Sequence, residues 1–331
     1  MSVTGGTTGV VQPLSPLTPV VNLTDLYLWG CYLNWVSTTS FSVSVGACRD
    51  SSGLTDILLG TSEYSYANQS NEIVTPLPVA VTVSLSATGA GGLDTGTLAA
   101  STQYYVYVVG DSKGFLNASV VFSTALPLAG VNTGGATPTA ISLPTGPTMP
   151  TGQASNGTIH QYDCFRYIGS ISTDASSHVR PFVQTGATRI RTVYFDPGTG
   201  PSTKGVTIPS SGTSGSTTYV NVGVLTTLMP QTASEAILNV KLTPNTAGNY
   251  IFLASPTVDN GTTATVGSMA AFSASVVSTG FQDMVVRVPV NVPNSTQRAA
   301  LTIGAVNTAL YATSEASDVV AFLLNGYVDR L

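Results

Sequence analysis

The chain has 331 residues, a formal net charge of −5, 43% apolar residues and only 8% charged ones. That balance supplies ample material for a core and excludes disorder of the charged, weakly hydrophobic kind. The few charges are spread thinly, which argues against a nucleic-acid surface, since that needs a basic patch. The length suggests about two domains. Glu (four) and Lys (three), both strong helix formers, are scarce, whereas the strand formers Thr and Val are plentiful. An all-β fold follows as the expectation, with two β-sandwich or jelly-roll-like domains behind an extended N-terminal arm.

Residues 1–22 form that arm. They carry Pro13, Pro16 and Pro19 with no apolar periodicity, so the segment has no core of its own and is expected to be held by neighbouring subunits. Residues 23–195 are read as the N-terminal β domain. The run from Leu23 to Val36 concentrates Tyr27, Trp29, Tyr32 and Trp35. A core hairpin explains these aromatics, and a stacking platform for a sugar ring, joined by Tyr64 and Tyr66, is the alternative. Phe41, Val43 and Val45 then share one face of a strand opposite Ser42 and Ser44. A turn at Asp50–Gly53 leads to a short apolar strand, and VAVTVSLSATG alternates once more.

The stretch Gly89–Val109, GAGGLDTGTLAASTQYYVYVV, is the most informative. Gly91, Gly92 and Gly96 suit a tight structural turn. Asp94 fits an Asx-turn, its carboxylate accepting from the N–H two residues on. In the following strand Tyr105 and Tyr107 oppose Tyr104 and Val106. A phosphate-binding loop is disfavoured, because the glycines precede a strand rather than open a helix.

Residues 126–157, with Pro127, Pro138, Pro144, Pro147 and Pro150, read as an extended surface loop or inter-subunit strap. The run CFRYIGSIST and a hairpin partner HVRPFVQTG complete the domain. Residues 196–218 are linker chemistry and take the domain boundary. Residues 219–331 hold seven strand-like runs separated by turn signals, the pattern of a β-sandwich. Pro289 marks an edge strand, and the closing GYVDRL reads as an amphipathic tail able to dock on a neighbour.

The segments Phe41–Asp56 and Gly89–Val109, followed by a strand at Asn117–Ser123, PTMPTG at Pro147–Gly152 and RYIGSISTD at Arg166–Asp174, resemble a module of virion structural proteins of tailed bacteriophages. This chain departs from it by roughly a dozen residues inserted between Gly152 and Phe165. Proteins of this kind are tail, fibre, collar or head-appendage components. The resemblance spans about residues 23–185 and implies a virion part, and the expected free thiols fit its assembly in a reducing bacterial cytoplasm.

Signals for chemistry are sparse. Cys31, Cys48 and Cys164 are odd in number and irregularly spaced, which fits buried free thiols, with a Cys31–Cys48 bond as the alternative. His160 and His178 lack companions at metal-ligand spacing, and no cofactor motif occurs. Asp50 with Asp56, or Asp163 with Asp174, are candidate carboxylate pairs for glycan cleavage, though turn capping explains them. Arg189 and Arg191 read as salt-bridge or interface residues. No signal peptide is visible and no apolar run is long enough to span a membrane. The expectation is a non-enzymatic virion protein acting as a homo-oligomer, a trimer by preference, attached to portal or neck, tail or capsid proteins. A carbohydrate-binding host-recognition adhesin and a capsid decoration or cement protein are the alternatives.

Overall fold

The computed structural model describes residues 27–60, 66–67, 73–74, 79–125, 127, 146–154, 157–187, 189–195, 206–207, 220–221, 227–230, 232–243, 250–254, 270–273, 282–289, 310–313 and 319–331. The expected N-terminal arm of residues 1–22 and Tyr64 lie outside them. Among the described residues every regular element is a strand. The fold is all-β, as the scarcity of Glu and Lys and the wealth of Val and Thr require.

One nine-stranded sheet dominates. Its order is Gln282–Pro289, Ala233–Thr243, Val319–Arg330, Ile190–Phe195, Phe182–Ala187, Leu33–Ser37, Ser40–Val43 and Val81–Ser84, with Val206–Thr207 also pairing with Val319–Arg330. Each neighbouring pair is antiparallel. The last strand of the chain thus sits between one strand that precedes the 196–218 stretch and one that follows it. Hydrogen-bonded sheet runs without interruption across the expected boundary. The closing GYVDRL is therefore not a docking tail: Tyr327, Val328 and Asp329 are buried in mid-sheet. Pro289 lies, as expected, at the end of an edge strand, where its missing N–H costs no ladder bond.

A four-stranded sheet ordered Cys164–Ser172, Gln103–Gly110, Ser119–Ser123 and Gly92–Leu93 packs against it. All eight residues of Gln103–Gly110 are buried, so the tyrosines flagged by alternation serve two cores. Tyr104, Val106 and Val108 face the main core with Phe41, Phe122 and Ile168. There Phe122 meets Tyr104 and Phe41 edge to face, at centroid distances of 5.3 and 6.0 Å, the arrangement the ring quadrupole favours. Tyr105, Tyr107 and Val109 face a second core with Leu116, Ala154, Tyr162 and Tyr167.

The described end of the expected strap packs on that second core, while residues 128–145 lie outside the described residues. Within that end, Gly146, Pro147 and Pro150 are buried, and Thr151–Gln153 pairs with Ile159–Gln161. These described residues cover the tyrosine face, and the hairpin of Thr151–Gln153 with Ile159–Gln161 completes the cover. A second correction concerns Cys164–Ser172. It pairs along its length with Gln103–Gly110, while the expected hairpin with the 178–186 run is confined to its end: a Thr173–Val179 bridge, an Arg180 N–H bond to the Ser172 carbonyl and an Asp174 N–H bond to the His178 carbonyl.

The alternating strand expected across residues 41–49 is also broken. Ser40–Val43 belongs to the nine-stranded sheet, whereas Gly46–Arg49 joins a three-stranded sheet with Leu28–Gly30 and Asp56–Leu59. The cause lies on the partner strand. Gly30 and Cys31 are consecutive left-handed residues, φ 64° and 54°, and fold one long hairpin around a corner. A Cβ on Gly30 would overlap the Val45 carbonyl. Arg191 holds this corner. Its guanidinium is wholly buried and donates to the carbonyls of Cys31 (2.6 Å), Gly30 (2.5 Å) and Ile168 (3.3 Å). It also stacks on Tyr32 at 4.4 Å. Arg191 is thus a buried collector of backbone carbonyls rather than the salt-bridge or interface residue expected.

Candidate functional site

Four connections converge at one end of the packed sheets: the Thr38–Thr39 hairpin turn, the Ser84–Thr88 segment, the Leu93–Leu98 loop and the turn from Asp174 to Val179. Loops gathered at the end of a sandwich are its usual place for binding. Between them lies an open groove of about 580 Å³, inside the roughly 300–1,000 Å³ range of small-molecule sites. Thr39, Ser84, Ser86, Thr88, Thr97 and Ser177 turn it into a hydroxyl-rich surface. Leu85, Leu93 and Leu98 supply apolar area, and none of the lining residues is charged.

The glycine loop builds one wall. Gly91 and Gly96 both have φ 83°, as their tight-turn reading requires. Gly92 is needed for another reason: a Cβ there would overlap the Ala87 carbonyl, which accepts the Leu93 N–H at 2.9 Å. Asp94 does more than close a local turn. Its Oδ1 accepts from the Thr95 N–H and its Oδ2 from the Thr148 N–H, both at 2.8 Å, in place of the expected bond two residues on. The carboxylate fastens the loop to the cover segment.

The opposite wall is fixed by Asp174. Its carboxylate accepts from the N–H groups of Ser176 (2.8 Å) and His178 (2.9 Å), and its carbonyl accepts from Ser101 and Ser177. Ser101 and Ser177 are held left-handed, at φ 47° and 62°. Burial acts to raise the Asp174 carboxyl pKa, but those N–H bonds and the nearby His178 and Arg180 outweigh it and hold the value below the ordinary range.

Of the expected stacking aromatics, Trp35 does not line this groove but is tied to its rim. It is 38% exposed, and its indole Nε1–H donates to the Val179 carbonyl at 3.4 Å. Val179 in turn donates to the Thr38 carbonyl, which ties the indole to the loops bearing Thr39 and Ser177. Trp29, 43% exposed, belongs to the three-stranded sheet, paired with Ala47. Tyr66 lies in a two-residue strand paired with Val74. The structure does not show the four aromatics as one platform. The groove itself escaped sequence reading, because its hydroxyls come from four separate segments; only the density of Ser and Thr beside Gly89–Leu98 hinted at it.

The residues weighed for chemistry act as local fasteners. Asp50 accepts from the N–H groups of Ser52, Leu54 and Thr55 and from the Ser52 hydroxyl, while Asp56 pairs with Arg49 at 2.6 Å. Asp163 accepts from the N–H and hydroxyl of Ser112. His160 stacks on Phe115 at 4.4 Å. The three cysteines are buried free thiols. A hydrogen bond with Cys31 and then burial push the Cys48 thiol well up, and burial with Asp163 and Asp50 pushes Cys164 up to about 12. Both are poor nucleophiles in consequence.

For Asp50, burial acts to raise the carboxyl pKa, but the hydrogen bonds from Ser52, Thr55 and Leu54 together bring it below the ordinary value. Replacing it in Asp50→Ala should cost about 2–3 kcal/mol, the scale of charge-assisted bonds left unmade, as a lower urea midpoint. Because the folded value is depressed, its contribution is complete above the unfolded Asp value near 3.9. That contribution is lost as pH falls through the folded value. The gap between wild type and Asp50→Ala should therefore narrow below about pH 4.

Compared with protein families, curated proteins and solved structures, the chain matches none. The site is accordingly read from its own geometry.

Proposed function

We propose that the chain is a non-enzymatic structural component of a tailed-phage virion, a fibre, collar or tail or head appendage, that works by homo-oligomeric assembly and attachment. The observation that carries the assembly half is a set of exposed apolar side chains on the outer face of the nine-stranded sheet, with the Thr185–Thr192 pair between them. Val183 and Tyr194 are directly paired there, and Ile190 follows two rungs on from Thr192 along the same face. Val183 and Ile190 are both 57% exposed. Such a face, on a chain with charged residues at only 8%, lacks the coat that keeps monomers apart. Closed rings bury a face of this kind, and three-fold closure suits an appendage. Attachment to portal or neck, tail or capsid proteins completes the role.

The virion half rests on the Gly89–Val109 and Arg166–Asp174 resemblance. Gold-labelled antibody against this chain, applied to purified particles, tests it. Label clustered at the neck, tail or vertex appendages is expected. Label spread over the head lattice would indicate a decoration protein instead, and unlabelled particles would refute the assignment.

The exposed indoles of Trp29 and Trp35 favour one second reading, carbohydrate binding at the host surface. It is compatible with the first, since an appendage can carry a binding site.

A further inference from the structure

We infer that the groove between Thr39, Ser84–Thr88, Leu93–Leu98 and Ser177 is a binding site for a neutral glycan chain that extends past its rim onto the exposed indole of Trp35, which is tied to that rim through Val179. The inference rests on the carbohydrate reading above and gives it a place and a ligand class. Three observations carry it together.

The first is the balance of hydrogen-bonding groups. Six hydroxyl side chains and no charged side chain line the groove. The Ser84 and Ser86 hydroxyls bond each other at 3.0 Å, whereas those of Thr88, Thr97 and Ser177 make no bond to another described residue. A hydroxyl both donates and accepts, which matches the hydroxyls of a sugar. A phosphate, sulfate or carboxylate ligand would call for a cation, and none lines the groove. Part-exposed Leu98, backed by the buried Leu85 and Leu93, gives the groove floor an apolar element for a pyranose C–H face.

The second is Trp35. Its Nε1–H is spent on the Val179 carbonyl, so the ring is fixed in orientation while the residue stays 38% exposed. A fixed, exposed ring pre-pays the ordering entropy of stacking. The third is rigidity of the walls. Ser177, which lines the groove, is a non-glycine residue held left-handed, its N–H bonded to the Asp174 carbonyl that also accepts from Ser101 behind it. A left-handed non-glycine residue persists only where its surroundings over-determine it, so this wall is kept in one shape.

The test uses the full chain and a set of neutral gluco-, galacto- and manno-oligosaccharides, with sialylated and sulfated counterparts, in calorimetric titrations. One or more neutral series should bind, and the acidic counterparts should not gain affinity. Trp35→Ala and, independently, Thr97→Arg on the exposed loop should each weaken that binding at least about tenfold. The native mass of both variants should match wild type, which separates this site from the assembly face. Three results would overturn the inference. No neutral saccharide binds. Binding survives both groove variants but is lost in Trp29→Ala. Or Thr97→Arg dissociates the oligomer without any saccharide bound, so that a chain segment of a neighbour is the occupant.

Discussion

A chain ended at Ser317 is expected not to fold: it should be recovered insoluble or without a cooperative thermal transition. The removed strand, Val319–Arg330, is hydrogen-bonded on both sides, to Ala233–Thr243 along its whole length and to Ile190–Phe195 at its end. It buries Val320, Phe322, Leu324, Tyr327 and Val328, each worth roughly 1.5–3 kcal/mol. That sum alone reaches the roughly 5–15 kcal/mol net stability of a folded domain. Two buried polar links would also go, Tyr167 O–H to Asp329 at 2.6 Å and Ser170 with Tyr327 at 2.8 Å. Circular dichroism and solubility of the truncated chain check the expectation. A truncated chain with an unchanged melting curve would show the strand to be an ornament on a sheet complete without it.

Arg191→Ala should have the second largest effect, a loss of about 3–5 kcal/mol, the range seen when a buried charged group is removed from its partners. The guanidinium leaves behind the carbonyls of Gly30, Cys31 and Ile168, each costing roughly 1–3 kcal/mol if left unpaired. Loss of the stack on Tyr32 adds to this. Because Gly30 and Cys31 hold a left-handed corner, the damage should appear first as faster amide exchange at that corner. Arg191→Lys should recover only part, since one ammonium cannot span three carbonyls in fixed planar directions. Scanning calorimetry with hydrogen exchange separates these outcomes.

Much of the fold was legible because strands advertise themselves locally. Phe41 and Val43 alternate with serines, Tyr104 and Val106 oppose Tyr105 and Tyr107, and Pro289 betrays an edge. Each of those is a property of a few adjacent residues. What stayed hidden is long-range pairing. Nothing in GYVDRL says that it threads between strands from two distant parts of the chain, and its lone Asp and Arg read as solvent-facing until their neighbours are known. Arg191 was hidden for a similar reason. A guanidinium buried against carbonyls 160 residues away has no signature in its own strand. The break after Val43 could have been suspected from Gly30 facing Gly46 across the hairpin, two positions without side chains where a corner is cheapest. The groove lies at the far end of this scale, since each of its four segments looks like an ordinary polar loop.

The central claim is assembly through the outer face of the large sheet, and the native mass of the purified chain by light scattering tests it most directly. A species of about three times the 33.9 kDa chain is predicted, closed as a cyclic trimer. Glutamates at Val183 and Ile190 should reduce it to single chains of unchanged strand content. A wild-type protein that stays a stable 33.9 kDa monomer at high concentration would contradict the account.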